Sequence, residues 1–77
     1  MKAYQKRVVE EKRELDKKLA KLHEFINDEV VFRNVHIREQ ELLRRQEVLM
    51  EIYSEVLGER IEAFNHDERM AALNHKR

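Results

Sequence analysis

The stretch "NDEVVFRNVHIRE", residues 27–39, separates two long helical patterns and decides the fold. Asn27 and Asp28 disfavour helix interiors, and the β-branched residues that follow weaken a helix locally. We expect Asn34 to make the turn itself, because asparagine tolerates the left-handed conformation. The rest of the chain is rich in good helix formers and has no proline and a single glycine. The sequence therefore predicts two helices joined by a turn at about residues 30–37.

Before this break, one apolar stripe marks the first helix. Its members recur at steps of three, four or seven residues, which is the helical period, and Glu and Lys fill most other positions. The stripe predicts a helix over about residues 2–29. It consists of Tyr4, Val8, Leu15, Leu19, Leu22 and Ile26.

After the break, the second helix has a much broader apolar face. A single partner helix covers only one stripe, so the broad face predicts a second surface buried against another chain. We expect this helix over about residues 38–64, followed by a short tail helix over about 67–74 that Asp67 caps. The face consists of Leu42, Leu43, Val48, Leu49, Met50, Ile52, Tyr53, Val56, Leu57, Ile61, Ala63 and Phe64.

These patterns predict an all-α fold: an antiparallel helical hairpin of two long helices, forming a single domain over residues 1–77. Chains shorter than roughly 70–80 residues rarely hold a self-sufficient core. The chain has no cysteine, so disulfides cannot supply the missing stability. We therefore expect the hairpin to assemble into an oligomeric helical bundle, as a homodimer or a larger homo-oligomer.

The charge pattern argues against nucleic-acid polymers and membranes as partners. Charged residues make up 42% of the chain, but the formal net charge is zero, whereas DNA or RNA binding needs a basic field. No apolar run approaches the ~20 residues of a membrane span, and the start lacks the apolar core of a signal peptide. We expect a soluble cytoplasmic protein.

The chain carries no motif of a metal site or of an enzyme. None of the four histidines stands in an H-E-x-x-H frame, or three to four residues from another histidine on one helix face. No nucleophile elbow, phosphate loop or facing carboxylate pair is recognisable. We expect no metal, no cofactor and no catalytic residue.

Residues of suitable chemistry for a ligand gather at the open end of the predicted hairpin. With the turn near Asn34, positions whose numbers sum to about 68 lie side by side. Aromatic rings stack on bases for ~1–3 kcal/mol each, and guanidinium groups form paired hydrogen bonds with phosphate. The predicted neighbours are Ile26 with Leu42, Leu19 with Leu49, Leu15 with Tyr53, and Tyr4 with Phe64. The candidate ligand-binding residues are Tyr4, Arg7, Lys12, Arg60 and Phe64.

A purely structural interpretation of the same residues stays open. Long arginine side chains often lay their stems on apolar surface and keep the charge in water. Arg60 would then pair with Glu11 or Glu59, and Tyr4 and Phe64 would be ordinary core residues.

Gly58 lies inside the second helix, where glycine costs about 1 kcal/mol relative to alanine. Close approach of another helix is the commonest compensation, and close approach of a ligand to the backbone is the second. We therefore hypothesise that a neighbouring chain packs at Gly58 and closes a pocket into which Arg60 points.

Two segments resemble a known family: "YQKRVVEEKRELDKKLAKLHEFI" (residues 4–26) and "EQELLRRQEVLMEIYSEVLGERIEAF" (residues 39–64). They resemble small phage proteins related to a protein of a crAss-like gut phage. Those proteins share the hairpin domain of phage anti-defence sponges, which block the anti-phage systems called CBASS and Thoeris.

The resemblance implies a function and an assembly. Sponges of this kind are helical hairpins that interlock into dimers, and three dimers commonly form a hexamer. They bind cyclic dinucleotides, cyclic trinucleotides or cyclic ADP-ribose derivatives, which the infected bacterium makes as immune signals, and they sequester these ligands without cleaving them. The positions here that match with suitable chemistry are Tyr4, Arg7, Lys12 and Arg60, with Phe64 as an apolar wall. The alternative is an oligomeric structural or protein-interaction module without a small-molecule ligand.

Overall fold

The computed structural model describes the backbone of residues 1–75 and the side chains of residues 1–73. Within this part of the chain all regular structure is helical, with helices α1 (Ala3–Asn27), α2 (Glu29–Arg33) and α3 (Ile37–His75). Helices α1 and α3 pack antiparallel as a hairpin that measures 63 × 17 × 15 Å. The predicted all-α hairpin is thus confirmed. None of the described helices has the length and apolar character that a membrane span requires.

The connection between the long helices is itself partly helical. The carboxylate of Asp28 caps α2 by accepting a hydrogen bond from the backbone N–H of Val31, at 3.1 Å. Asn34 ends α2 in a right-handed conformation, with φ −85° and ψ −4°, and its side-chain amide donates to the carbonyl of Val30. The prediction of a left-handed Asn34 is therefore wrong, because the asparagine side chain stabilises the end of a short helix instead.

Phe32 anchors this connection to the long helices. Its side chain is only 4% exposed, and its ring meets the ring of Phe25 edge to face, with centroids 6.0 Å apart. The guanidinium of Arg44 lies 4.9 Å from the centroid of the Phe32 ring. The side-chain amide of Gln40 donates to the carbonyls of Phe32 and Val35 and so ties α2 to the first turns of α3. The segment predicted as a plain turn thus contributes a core residue.

The core between α1 and α3 is a single line of apolar contacts. Leu57, at 1% exposure, is the most deeply buried of these side chains. The α1 stripe was predicted correctly, since its aliphatic members are buried or half-buried. Val8, Ile26 and Leu57 are buried, and Leu15, Leu19, Leu22, Leu43, Met50, Ile61 and Phe64 are half-buried.

The stripe of α3 that faces α1 differs from the predicted one. Leu42, Leu49 and Tyr53 were expected against α1, but they are 39%, 64% and 45% exposed. Helix α3 carries two adjoining apolar stripes, and the one that contains Leu43, Met50 and Leu57 packs inward. The prediction that Leu42, Leu49 and Tyr53 face α1 as core partners of Ile26, Leu19 and Leu15 is therefore wrong. The pairing of Tyr4 with Phe64 is confirmed.

Helix α3 is also longer than predicted. It runs for 39 residues, about 58 Å at 1.5 Å per residue, without the break expected between residues 64 and 67. Asp67 lies inside the helix rather than at the start of a separate tail helix over 67–74. The residues after it, "ERMAAL" (68–73), are good helix formers and carry the helix onward.

Candidate functional site

An aromatic pair joins the two helices at the open end of the hairpin. The rings of Tyr4 and Phe64 meet edge to face, with centroids 5.6 Å apart and an interplanar angle of 84°. Tyr4 remains 45% exposed. The pair therefore bridges the helices and still presents part of a ring to solvent. Beside it runs an open groove of about 490 Å³, lined by Met1, Lys2, Tyr4, Gln5, Phe64, Asp67, Glu68 and Ala71.

Two arginines flank this pair, one on each helix. Arg7 follows Tyr4 by three residues and Arg60 precedes Phe64 by four, so each lies one helical turn from a ring. Because Tyr4 and Phe64 lie side by side, Arg7 and Arg60 lie at nearly the same height along the hairpin. Both are exposed, and neither forms a salt bridge with another side chain of residues 1–73.

This finding bears on the structural interpretation of Arg60. That interpretation pairs the guanidinium with Glu11 or Glu59, and neither ion pair is present in the described part of the hairpin. The hairpin therefore has a cationic and aromatic rim, in which two guanidinium groups without carboxylate partners among the described residues lie next to exposed aromatic surface. We call Tyr4, Arg7, Arg60 and Phe64 the arginine rim.

Lys12 lies outside the arginine rim. Its ammonium donates to the carboxylate of Asp16 at 2.9 Å and to the hydroxyl of Ser54 at 2.8 Å. The Ser54 hydroxyl in turn donates to Asp16 at 2.5 Å. The hydrogen bond from Ser54 has the largest effect on the Asp16 carboxyl, and the one from Lys12 the next largest. Together they hold the pKa of this carboxyl below its usual value. Of the predicted site residues, Lys12 is therefore the one that already has polar partners within the hairpin.

Gly58 and Arg60 face different sides of α3. Gly58 packs against the side chain of Lys12, where an added Cβ would lie 3.4 Å from Lys12 Cε. Arg60 comes two residues later, which is about 200° around the helix. The hypothesis that one neighbour packs at Gly58 and also encloses Arg60 does not hold in this hairpin, because residues two apart on a helix do not share a face.

The groove beside the arginine rim has mixed charge. Lys2 contributes a cation, and Asp67 and Glu68 contribute carboxylates from α3. Guanidinium groups suit phosphates, whereas carboxylates accept hydrogen bonds from amino groups and hydroxyls. A ligand that carries bases, sugars and phosphates presents both kinds of group.

A second exposed face runs along α3 from the arginine rim towards the turn. Tyr53 and Arg60 are seven residues apart, two helical turns, so they lie on one stripe of the helix. Sequence reasoning placed Tyr53 in the core, although its spacing from Arg60 was a usable sign of this shared face. The face includes an open groove of about 430 Å³, lined by Leu42, Arg45, Gln46, Leu49, Met50 and Tyr53.

A third group of polar residues was missed by sequence reasoning. His23 of α1 lies between two carboxylates of α3, with Nδ1 2.6 Å from Glu47 Oε2 and Nε2 3.4 Å from Glu51 Oε1. Spacing along a single helix does not reveal this cluster, because its residues come from both helices. The usable signal was Glu47 and Glu51, one turn apart on one helix face and opposite His23 in the antiparallel register.

A family model described as Sequestin matches residues 2–63, which is most of the chain. The chain belongs to the Sequestin family. The matched region spans α1, α2 and most of α3, including Arg7 and Arg60, and the Sequestin match ends one residue before Phe64. The name fits a sequestering protein, as the resemblance implied. Searches of curated proteins and of solved structures give no match.

Proposed function

We propose that this protein is a phage anti-defence protein that binds host cyclic nucleotide immune signals and sequesters them without cleavage. The ligand class is cyclic dinucleotides, cyclic trinucleotides or cyclic ADP-ribose derivatives, and the countered defence is CBASS or Thoeris, in the cytoplasm of the infected bacterium. Membership of the Sequestin family supports the sequestering part. The ligand class rests on Arg7 and Arg60, which lie one helical turn from the rings of Tyr4 and Phe64 and form no salt bridge with the side chains of residues 1–73.

The chemistry of the arginine rim suits such ligands. A guanidinium group binds a phosphate through two parallel hydrogen bonds, and an exposed ring stacks on a base. A cyclic nucleotide signal carries at least two phosphate groups with at least one base, which matches two arginines and two rings. The groove beside the rings has a volume of about 490 Å³, within the ~300–1,000 Å³ range of small-molecule sites. It shares Tyr4 and Phe64 with the arginine rim, but Arg7 and Arg60 do not line it.

Sequestration without cleavage is part of this proposal. Ser54, Lys12 and Asp16 bring a hydroxyl, an ammonium and a carboxylate into contact. These three side chains hydrogen-bond to one another, and they share a side of the hairpin with Gly58 rather than with Arg60. A ligand at the arginine rim would be held by guanidinium groups and rings, and the four residues of the rim include no carboxylate or histidine to act as a general base.

The proposed functional form is a homo-oligomer: a dimer, or a hexamer built as a trimer of dimers. The groove beside Tyr4 is open on one side of the single hairpin, so a second copy is needed to enclose a ligand there. The exposed apolar face of α3 gives such a copy a surface to bury, because exposed apolar patches of this kind mark interaction sites. Among its members, Val48, Leu49, Ile52, Tyr53 and Val56 are each at least 45% exposed.

Isothermal titration tests this proposal with a panel of cyclic dinucleotides, cyclic trinucleotides and cyclic ADP-ribose isomers. We expect at least one member to bind, and to be recovered chemically unchanged by chromatography. Charge-assisted hydrogen bonds contribute roughly 1.5–3 kcal/mol each, so Arg7→Gln and Arg60→Gln should each weaken binding by about 10- to 100-fold. Arg38→Gln is the matched control, because Arg38 is an exposed arginine that pairs with Glu41.

Two outcomes would refute the proposal. One is a lack of heat with every ligand of the panel while native mass spectrometry shows the assembly to be intact. The other is that Arg7→Gln and Arg60→Gln bind the ligand with the same affinity as the control variant Arg38→Gln. If the ligand is recovered in cleaved form, the proposed binding would stand, but the proposed sequestration without cleavage would be wrong.

The second candidate function is an oligomeric structural or protein-interaction module without a small-molecule ligand. The exposed apolar face of α3 favours it, since this face could bind a protein partner without any small-molecule ligand. A stoichiometric protein partner that binds the Arg60→Gln variant normally, combined with silent ligand titrations, would favour this second function.

A further inference from the structure

His23, Glu47 and Glu51 bring three metal-ligating side chains together across the hairpin, away from the arginine rim. One ligand atom from each residue lies within 4.8 Å of the others. His23 comes from α1 and the two glutamates from α3. His23 is 16 residues from Arg7 along α1, roughly 24 Å, so the cluster is separate from the proposed ligand site.

Both nitrogens of the His23 ring have a carboxylate as neighbour. Both of its nitrogens face carboxylate oxygens, at 2.6 Å from Glu47 and 3.4 Å from Glu51. A neutral imidazole has one N–H and one lone pair, so it can donate to only one of the two carboxylates. The other nitrogen then directs a lone pair towards a carboxylate oxygen. A second proton on the ring or a metal ion between the ring and the carboxylate removes that repulsion, and only the metal ion uses all three side chains as ligands.

We propose that His23, Glu47 and Glu51 form a binding site for a divalent transition-metal ion, with Zn²⁺ as the reference ion. One imidazole with two carboxylates is a nitrogen and oxygen set that suits Zn²⁺ and its neighbours, whereas Mg²⁺ and Ca²⁺ prefer oxygen ligands alone. Three protein ligands leave at least one coordination position for water.

The distances fit this assignment after small side-chain movements. Metal–ligand bonds of about 2.0–2.2 Å in a tetrahedron place ligand atoms roughly 3.4 Å apart. The contact of His23 with Glu47 opens slightly to reach that separation, and the Glu51 carboxylate moves towards the same ring nitrogen. The side chains of His23 and Glu51 are 41% and 46% exposed, which leaves them room for these rotations.

A metal ion here clamps α1 to α3. Its ligands come from both helices and are brought together only in the folded hairpin, so binding favours the folded over the unfolded chain. Because the chain has few buried apolar side chains and no cysteine, such a metal ion would add a second link between the helices, near the end of α1 that adjoins the connection.

The test is thermal unfolding of chelator-treated full-length protein with added ZnCl₂, CoCl₂ or MgCl₂. We expect the Tm of the natural chain to rise saturably with Zn²⁺ and Co²⁺ and to stay unchanged with Mg²⁺. His23→Gln should weaken Zn²⁺ binding at least tenfold. His66→Gln, which removes an exposed histidine outside the cluster, should leave it unchanged.

A spectroscopic measurement keeps the proposal testable if His23→Gln does not fold. Co²⁺ bound to the natural chain should give visible absorption bands, retained in His66→Gln and lost in the Glu47→Gln/Glu51→Gln double variant. A Zn²⁺ effect of equal size in His23→Gln and the natural chain would overturn the proposal, as would an unchanged Tm of the natural chain at millimolar Zn²⁺.

Discussion

Gly58 of α3 lies directly against the side chain of Lys12 of α1, where an added Cβ would stand 3.4 Å from Lys12 Cε. That separation is an ordinary van der Waals contact, and the contacting atom belongs to the far end of a flexible side chain. Within one hairpin, nothing described at this position requires glycine.

We predict that Gly58→Ala stabilises the isolated hairpin by about 0.5–1 kcal/mol, because alanine loses less backbone entropy in a helix. Urea unfolding at low protein concentration measures this. Ala20→Gly, at an exposed position inside α1, is the control and should lose a similar amount. A destabilised Gly58→Ala would contradict this prediction and show that the added methyl group displaces the Lys12 side chain.

Ser54→Ala tests the polar cluster that Ser54 forms with Lys12 and Asp16. The variant removes the hydroxyl that donates to Asp16 and accepts from Lys12. We expect a loss of about 0.5–1 kcal/mol at pH 7, below the usual range for hydrogen bonds to charged groups because Asp16 is half exposed. The control is Ser54→Thr, which keeps a hydroxyl.

The same variant should change the pH dependence of stability. The folded state lowers the pKa of Asp16, first through Ser54 and then through Lys12. A carboxyl with a lowered pKa contributes stability above its unfolded pKa, and that contribution disappears as pH falls through the folded pKa. Ser54→Ala should therefore lose less stability than the natural chain on acidification, and a carbon-13 NMR titration should show a raised Asp16 pKa. An unchanged Asp16 pKa would contradict this.

The sequence predicts the hairpin well because helix α1 has a single apolar stripe, so only one of its sides can face α3. The predicted register also holds, since Tyr4 meets Phe64. The face of α3 was harder to predict: Leu49 and Leu57 both lie on apolar stripes, and one sequence cannot say which stripe packs within the chain. Leu57 is buried and Leu49 is 64% exposed.

The candidate sites show the same limit. Helical spacing sufficed to place Arg7 and Arg60 one turn from the aromatic rings. It did not reveal His23 with Glu47 and Glu51, because that cluster arises from contact between helices rather than from spacing along one. Partners across a hairpin follow from the sequence only once the register is known.

Phe32→Ala should cause the largest loss of stability among single changes in the connection. The ring is 4% exposed and contacts Phe25 and Arg44, so its removal leaves a cavity where α2 meets the long helices. We expect a loss of roughly 3–5 kcal/mol by chemical unfolding followed by circular dichroism. Val31→Ala, at the neighbouring exposed position, should stay within about 0.5 kcal/mol of the natural chain. Equal effects of the two changes would show that Phe32 is not an anchor.

A double-mutant cycle on Tyr4 and Phe64 measures the contact at the open end. We expect a coupling free energy of about 0.5–1.5 kcal/mol between Tyr4→Ala and Phe64→Ala, because edge-to-face rings attract beyond the area they bury. Tyr4→Phe keeps the ring and should keep the coupling. Additive losses, within about 0.3 kcal/mol, would mean that the two rings do not interact in solution.

Leu49→Glu tests whether the outer face of α3 joins copies of the chain. Leu49 is 64% exposed in the single hairpin, so a glutamate there is well hydrated in the monomer. In an interface, the same carboxylate would be buried without a partner at a cost of several kcal/mol. We expect sedimentation to show an oligomer for the natural chain and a 9.4 kDa monomer for the variant. Val30→Glu is the matched control, because Val30 is 63% exposed but lies in α2, and it should leave the oligomer intact. A natural chain that sediments as a folded monomer at micromolar concentration would remove the basis for an oligomer, and with it the proposed enclosure of a ligand at the arginine rim.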